Sequence, residues 1–124
     1  GLIEIAGDNV NGIIFNVACV TEAPGVDELL EKFIARWGYD PSIDAAPDCY
    51  MACDAFKLLT GAIEKAGSTD SVAIRDALET TKDLQGLTCT ITIDPATHNV
   101  YRQVPIYQIV DGEFKQLELY DLHA

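Results

Sequence analysis

The stretch Pro47–Gly67, PDCYMACDAFKLLTGAIEKAG, sets the tightest limit on what this chain can fold into. Met51, Ala55, Leu58, Leu59, Ala62, Ile63 and Ala66 recur at helical spacing and form one apolar stripe. Asp54, Lys57, Gly61, Glu64 and Lys65 fall mostly on the other side. Pro47 suits a first helical turn, where its missing N–H costs nothing. Gly67 suits the position just past the end, where a left-handed backbone stops a helix. The small side chains of Ala52, Ala55, Ala62 and Ala66 let a neighbouring element come close. A long helix with so wide an apolar face acts as the central packing element of an α/β layer.

A chain of 124 residues, 48% of them apolar, supports one core and not two. The net charge of −12 argues against nucleic acid or an anionic membrane as partner, since both require a basic surface. No apolar run reaches the roughly 18–20 residues of a membrane span. No leader, lipidation motif or basic tail is recognisable, and the chain starts at Gly1 without Met, so it reads as a mature segment or a fragment. Cys19, Cys49, Cys53 and Cys89 match no zinc motif, because neither C-x-x-C spacing nor a nearby histidine is present. Cys49 and Cys53 share a helix face, where a disulfide would be strained. The expectation is four small, mostly buried thiols, with a long-range disulfide from Cys19 or Cys89 left open.

In chain order, Gly1–Asp8 reads as a short apolar turn or frayed helix, and Ile13–Val20 as a buried strand. Val26–Trp37 reads as an amphipathic helix whose inner face holds Val26, Leu29, Leu30, Phe33, Ile34 and Trp37, with Glu28 and Lys32 paired on the wet side. After the central helix, Ser68-Thr69-Asp70 offers caps for a third helix at about Ser71–Thr80, with Ile74, Ala77 and Leu78 inward. Leu87–Ile93 alternates cleanly and predicts a half-buried strand with Leu87, Cys89, Ile91 and Ile93 on one face. Asp94–Asn99 is a turn. Val104–Val110 is a strand whose Pro105 places its start at an edge or crossover. Asp111-Gly112 is a hairpin signal, and Glu113–Tyr120 pairs back.

Candidate sites are few. His98 lies in a polar turn and His123 at the tail, and neither has a Cys, Ser or carboxylate at triad or metal spacing. No G-x-G-x-x-G or phosphate-binding loop is present, and no cofactor is implied. Tyr39, Tyr50 and Trp37 are candidates to line a pocket. The core is the expected place for Trp37; Tyr50 fits core and pocket equally.

The order of segments carries a resemblance. GLIEIAGDNVNGIIF leads to DELLEKFIARWGYDPS, then to CDAFKLLTGAIEKAGSTDSVAIRDALETTKDLQGLTCTITIDPATHNV, and ends in PIYQIVDGEF. The most specific part is Ala62–Asp94: AIEKAG, then IRDAL, then G-x-T-x-T-I-x-I-D. Over nearly its whole length the chain resembles the C-terminal part of bacterial branched-chain amino-acid-binding proteins, the type I periplasmic receptors of ABC transporters. One departure is Cys53-Asp54-Ala55, where the family usually has Tyr-Asp-Ala.

The resemblance implies an α/β, three-layer-like fragment with about three main helices and four to five strands. It implies residues 1–18 and 104–120 from the second lobe of a receptor and 21–100 from the first. The family's amino-acid clamp would lie mostly outside the chain, with one contact region in the loop entering the central helix. In one register the contact is Ala45, in the other Tyr50. The implied partners are a small-molecule amino acid and a membrane permease, with no nucleic acid, in an extracytoplasmic setting. No catalysis is implied. An isolated third of such a receptor would leave apolar faces bare, so the chain is expected to be a homo-oligomer. A stand-alone α/β self-association or protein-interaction domain derived from a receptor is the alternative.

Overall fold

The structure is a computed structural model that describes residues 1–19, 23, 25–41 and 46–121, the side chains of 46 and 47 excepted. Its helices are α1 (Leu2–Ala6), α2 (Val26–Trp37), α3 (Ala46–Ala66) and α4 (Ser71–Glu79). Its strands are β1 (Ile14–Asn16), β2 (Leu84–Gln85), β3 (Thr90–Ile93), β4 (Val100–Tyr101), β5 (Gln103–Val110) and β6 (Glu113–Asp121). A 3₁₀ turn, Gly7–Val10, joins α1 to β1. The strands form two antiparallel three-stranded sheets, ordered β1-β5-β6 and β2-β3-β4. The class is therefore mixed α/β, as the sequence predicts. The count of six strands exceeds the expected four to five because β2 and β4 are two residues each, too short to show a period.

The helices form where capping and periodicity place them. α3 ends at Gly67, whose φ of +59° is the left-handed stop expected of it. α4 starts on the Asp70 carboxylate, which accepts from the amides of Val72 at 3.1 Å and Ala73 at 3.0 Å. Replacing Asp70 with Ala removes that cap. The expected cost is about 1 kcal/mol of stability, read as a lowered denaturation midpoint at unchanged slope. α4 packs on α3 through Ala77 and Ala62, both buried, and the Lys65 ammonium donates to the Thr80 hydroxyl at 2.6 Å.

Four expectations are corrected. The first strand is shorter than Ile13–Val20. β1 stops at Asn16, and Ile14 is exposed rather than buried. The reason lies in β5. Ile109 exchanges hydrogen bonds with Gly12 (2.8 Å) and Ile13 (3.0 Å), so by alternation Pro105 also faces β1. Pro105 has no N–H to give, and the pairing frays there into one long bond from the Val17 amide at 3.4 Å. Second, of the two places read for Pro105, edge or crossover, only the crossover holds, since the chain enters β5 from the other sheet. Pro105 is buried in the central strand, and its missing donor falls where β1 has already ended.

Third, Trp37 is not in the core. It is 64% exposed, with Phe33 beside it and the Arg36 guanidinium 5.2 Å over its ring. The inner stripe of α2 ends with Val26, Leu29 and Leu30, which pack around Cys19 and Tyr50. Fourth, the strand Leu87–Ile93 is β3 only from Thr90. Residues 86–89 make a turn, closed by the Gly86 amide on the Cys89 carbonyl at 2.9 Å. The hairpin at Asp111-Gly112 forms as expected. Both residues have positive φ, 53° and 77°, the twist that matches two antiparallel strands.

Candidate functional site

The turn between β2 and β3 is held by a side chain 33 residues away. The Asp54 carboxylate, only 5% exposed, accepts from the Leu87 amide on Oδ1. Its Oδ2 accepts from the Thr88 amide at 3.2 Å and the Thr88 hydroxyl at 2.6 Å. The sequence reading groups Asp54 with residues mostly on the side away from the apolar stripe of α3; three residues after Met51 and four before Leu58, it borders that stripe instead. The burial comes from the turn, which closes over the carboxylate and satisfies its charge with three donors. Gly86 permits the approach. A Cβ there would lie 2.6 Å from Asp54 Oδ1 and 2.8 Å from the Cys89 carbonyl oxygen. The Lys57 ammonium, one turn along α3, donates to the Gln85 carbonyl and extends the clasp.

This junction floors a cleft of about 360 Å³, in the range of small-molecule sites. Met51, Ala55 and Leu58 of α3 form one apolar wall, and Ile91 of β3 and Val100 of β4 the other. Arg102 is the cation of the lining, and it lies near enough to Cys19 and Cys89 to act on both thiols. Burial pushes the thiols of Cys19, Cys53 and Cys89 above their usual range. They are protonated at neutral pH and poor nucleophiles. None of the four cysteines is in a disulfide, so neither long-range pairing forms here. Among the described residues no three His, Cys, Asp or Glu side chains could hold a metal ion. No described helix is long and apolar enough to cross a membrane.

Of the two candidate contact residues, Ala45 falls outside the described residues. Tyr50 sits in the first turns of α3, 2% exposed, packed with Cys19 and Val26. Burial raises its hydroxyl pKa. Tyr50 is therefore not among the residues lining the cleft, although Met51 of the cleft wall packs against its cluster. His98 sits on the exposed β3–β4 turn and pairs with Glu79 at 3.0 Å, while His123 lies outside the described residues. Asp94 organises that turn. It accepts from the Ala96 amide (2.8 Å), the Thr97 hydroxyl (2.9 Å) and the Tyr101 hydroxyl (3.1 Å), and these donors, the amide first, hold its carboxyl below the usual range. Asp54 and Arg102 were missed as site residues. Asp54 stands in the Cys-Asp-Ala match, and Gly86 and Thr88 are fixed letters of G-x-T-x-T-I-x-I-D, so those motifs marked the clasp without revealing its partners; the last letter, Asp94, marks the β3–β4 turn.

The cleft is mostly apolar, sits on a helix–sheet junction, and has its one carboxylate consumed by a turn. The fold that carries it is that of a type I periplasmic binding protein, over part of its length. The chain matches the periplasmic binding protein family over residues 1–113, and it belongs to that family. It superposes on the leucine-binding protein LivK of Thermotoga maritima with a TM-score of 0.70 at 26% identity, covering 98% of this chain and 34% of that one. For a putative branched-chain amino acid ABC transporter protein of Rhodospirillum rubrum the values are 0.71 and 25%, over 93% of this chain and 33% of that one. A solute-binding protein of an ABC transporter from Rhodopseudomonas palustris, solved with 3,4-dihydroxybenzoic acid, gives 0.62 at 21%, covering 97% and 34%, and speaks for the fold alone. The chain thus spans about a third of the length of the structures it matches. Comparison with curated protein sequences gives no match.

Proposed function

We propose that this chain is part of the extracytoplasmic solute-binding component of an ABC transporter for branched-chain or related amino acids, and that it catalyses no reaction. The observation that carries the reading is the family match over residues 1–113, joined to superposition of nearly the whole chain on a leucine-binding protein. In the whole receptor the ligand closes two lobes about a hinge, and the closed form docks on a membrane permease.

The lobe assignment follows the same reading: residues 1–18 and 104–120 in the second lobe, 21–100 in the first. Its support is the division of the strands, since β1, β5 and β6 make one sheet and β2, β3 and β4 the other. The chain passes from one sheet to the other just before β5, and residues near Val17 and Arg102 are the places where a hinge would bend. Within the loop entering α3, Ala45 is the favoured ligand contact. The ring of Tyr50 is closed off by the cluster around Cys19 and could reach a ligand only if that cluster opened.

A thermal-shift panel tests the reading on the longest natural polypeptide that contains these residues. Ligand at about 100 times its dissociation constant adds about 2.7 kcal/mol to the folded state. Leucine, isoleucine and valine are expected to raise the midpoint, and 3,4-dihydroxybenzoate is not. A rise with the aromatic acid alone contradicts the amino-acid reading; no rise with any solute tested contradicts the receptor reading.

A further inference from the structure

The chain carries four asparagines, and their neighbours set them apart. Asn9, Asn16 and Asn99 are each followed by valine, whereas Asn11 is followed by Gly12. An asparagine side chain can be attacked by the backbone nitrogen of the next residue. A β-branched neighbour crowds that nitrogen, and glycine leaves it open. Asn11-Gly12 is therefore the most reactive such junction in the sequence. The reaction needs only base and water. The Gly12 nitrogen loses its proton to base and attacks Asn11 Cγ. The N–Cγ bond forms, the Cγ–Nδ2 bond breaks, and ammonia leaves with the proton returned to it. Water then opens the five-membered imide. Opening at Cγ gives aspartate, and opening at the backbone carbonyl carbon gives isoaspartate. One amide and one water become one carboxylic acid and one ammonia, with nothing oxidised or reduced.

In the folded chain every group that must move is held. Val10–Ile13 form a type II turn, closed by the Ile13 amide on the Val10 carbonyl at 3.2 Å, with φ −60° and ψ 134° at Asn11 and φ +87° at Gly12. The nucleophile is engaged: the Gly12 amide donates to the carbonyl of Ile109, a fully buried residue of β5, at 2.8 Å. The group under attack is held from the other side, where Asn11 Oδ1 accepts from the Gly112 amide at 3.3 Å, at the tip of the β5–β6 hairpin. The Gly12 carbonyl accepts from the Gln108 side-chain amide at 3.3 Å. The backbone angle is also wrong for attack. The ring closes only where Cβ eclipses the next nitrogen about the Cα–C bond, at a ψ of about −120° for an L residue. From 134° the peptide must turn by about 100°, which breaks the turn and its bonds to β5.

We infer that Asn11 is a site of deamidation and isoaspartate formation controlled by the β1-β5-β6 sheet: the folded pairing holds the junction closed, and the reaction runs in the fraction of molecules in which β1 has left β5. Where opening and closing are fast against the chemistry, the observed rate is the unfolded-chain rate multiplied by the open fraction. The conversion is one-way. The isoaspartyl product has one extra methylene in its backbone, which moves the Gly12 amide and the Ile13 carbonyl out of step with Ile109, their partner in β5. The bonds that make the lock all lie within residues 10–112, so the inference stands whatever solute the protein binds.

The test is peptide mass mapping of the longest natural polypeptide that contains these residues, aged at mildly alkaline pH in buffer and in denaturing guanidinium chloride. Conversion is read as a gain of about 1 Da assigned to Asn11 by fragmentation, with the two acid isomers separated by chromatography. In denaturant Asn11 is expected to convert first among the four asparagines, and in buffer at least about 10-fold more slowly. Phe15→Ala removes the β1 ring that stacks on Tyr107 and meets Phe114 edge-on. It is expected to raise the rate in buffer at least about 3-fold and to leave the rate in denaturant unchanged. The parent protein in sub-denaturing guanidinium chloride gives the same readout without a variant, since its rate is expected to climb as the open fraction grows. Asn11→Gln, whose longer side chain would need a six-membered ring, is expected to abolish the gain at this position. Equal rates in buffer and denaturant overturn the control by the sheet, as does a rate that stays flat until the protein is fully unfolded. Earlier conversion at Asn9, Asn16 or Asn99 overturns the site.

Discussion

Asp54→Ala is expected to cost about 3 kcal/mol of folding stability, the largest effect of any single side chain on α3. Three donors lose their acceptor at once: the Leu87 and Thr88 amides and the Thr88 hydroxyl. A hydrogen bond to a charged group contributes about 1.5–3 kcal/mol, and a buried donor left alone costs about 1–3 kcal/mol. The summed figure is held down because the turn is only partly buried and water can replace some of the bonds as it loosens. The readout is the urea midpoint at unchanged slope, with a melting temperature lower by about 10 °C for a chain of this size. Asp54→Asn keeps the volume and one acceptor oxygen, and about half the loss is expected. Equal stability of Asp54→Ala and the parent chain would mean that the clasp holds nothing.

Gly86→Ala is expected to cost about 2–3 kcal/mol from the opposite direction, by adding one methyl group. The new Cβ would meet Asp54 Oδ1 at 2.6 Å, Asp54 Cγ at 2.8 Å and the Cys89 carbonyl oxygen at 2.8 Å. None of these can step aside cheaply. The carboxylate is held by its three donors, and the Cys89 carbonyl is backbone that accepts from the Gly86 amide. Because the two substitutions damage one junction, they are not additive. In the background of Asp54→Ala, Gly86→Ala is expected to cost at least about 1 kcal/mol less than alone, since the truncated side chain vacates the space. A double-mutant cycle in denaturant measures the coupling. Strict additivity would place the strain of Gly86 elsewhere.

What the sequence made legible is what depends on neighbours in the sequence. The period of α3, its Gly67 stop, the Asp70 cap and the Asp111-Gly112 turn are local rules, and each element lies where its rule puts it. The failures are contacts between distant segments. Spacing puts Asp54 at the border of the apolar stripe, between Met51 and Leu58; its full burial requires a turn that lies past α4. The alternation of Leu87–Ile93 is a real strand pattern, but residues 86–89 are bent onto Asp54 and only Thr90–Ile93 stays in the ladder. Pro105 was assigned to an edge or a crossover by the rule that a proline cannot donate, and the crossover holds. The rule holds atom by atom, and the central strand satisfies it by ending its neighbour early. Trp37 continues the apolar spacing of α2, yet the half-buried positions on that helix end at Phe33, with Ile34 and Trp37 exposed, so spacing overstates burial.

The candidate site shows the same division. The motifs that carry the resemblance fall on the residues that build the helix–turn junction, Asp54, Gly86 and Thr88, and on Asp94, which organises the β3–β4 turn. They mark the scaffold. The cleft beside it adds Arg102, which belongs to no motif, and Cys89, a variable position of one, and the two become neighbours only through the β3–β4 pairing and the turn. Tyr50, open between core and pocket in the sequence, packs in the core in this chain.

The most direct test of the account is a calorimetric titration with leucine, isoleucine and valine, run on the 124-residue chain and on the longest natural polypeptide that contains it. The account predicts one-to-one binding by the longer polypeptide and no heat of binding from the chain alone, because on the proposed reading most of the clamp would lie outside these residues. Saturable binding by the 124-residue chain would contradict that division of labour, and binding by neither would contradict the assignment to amino-acid transport.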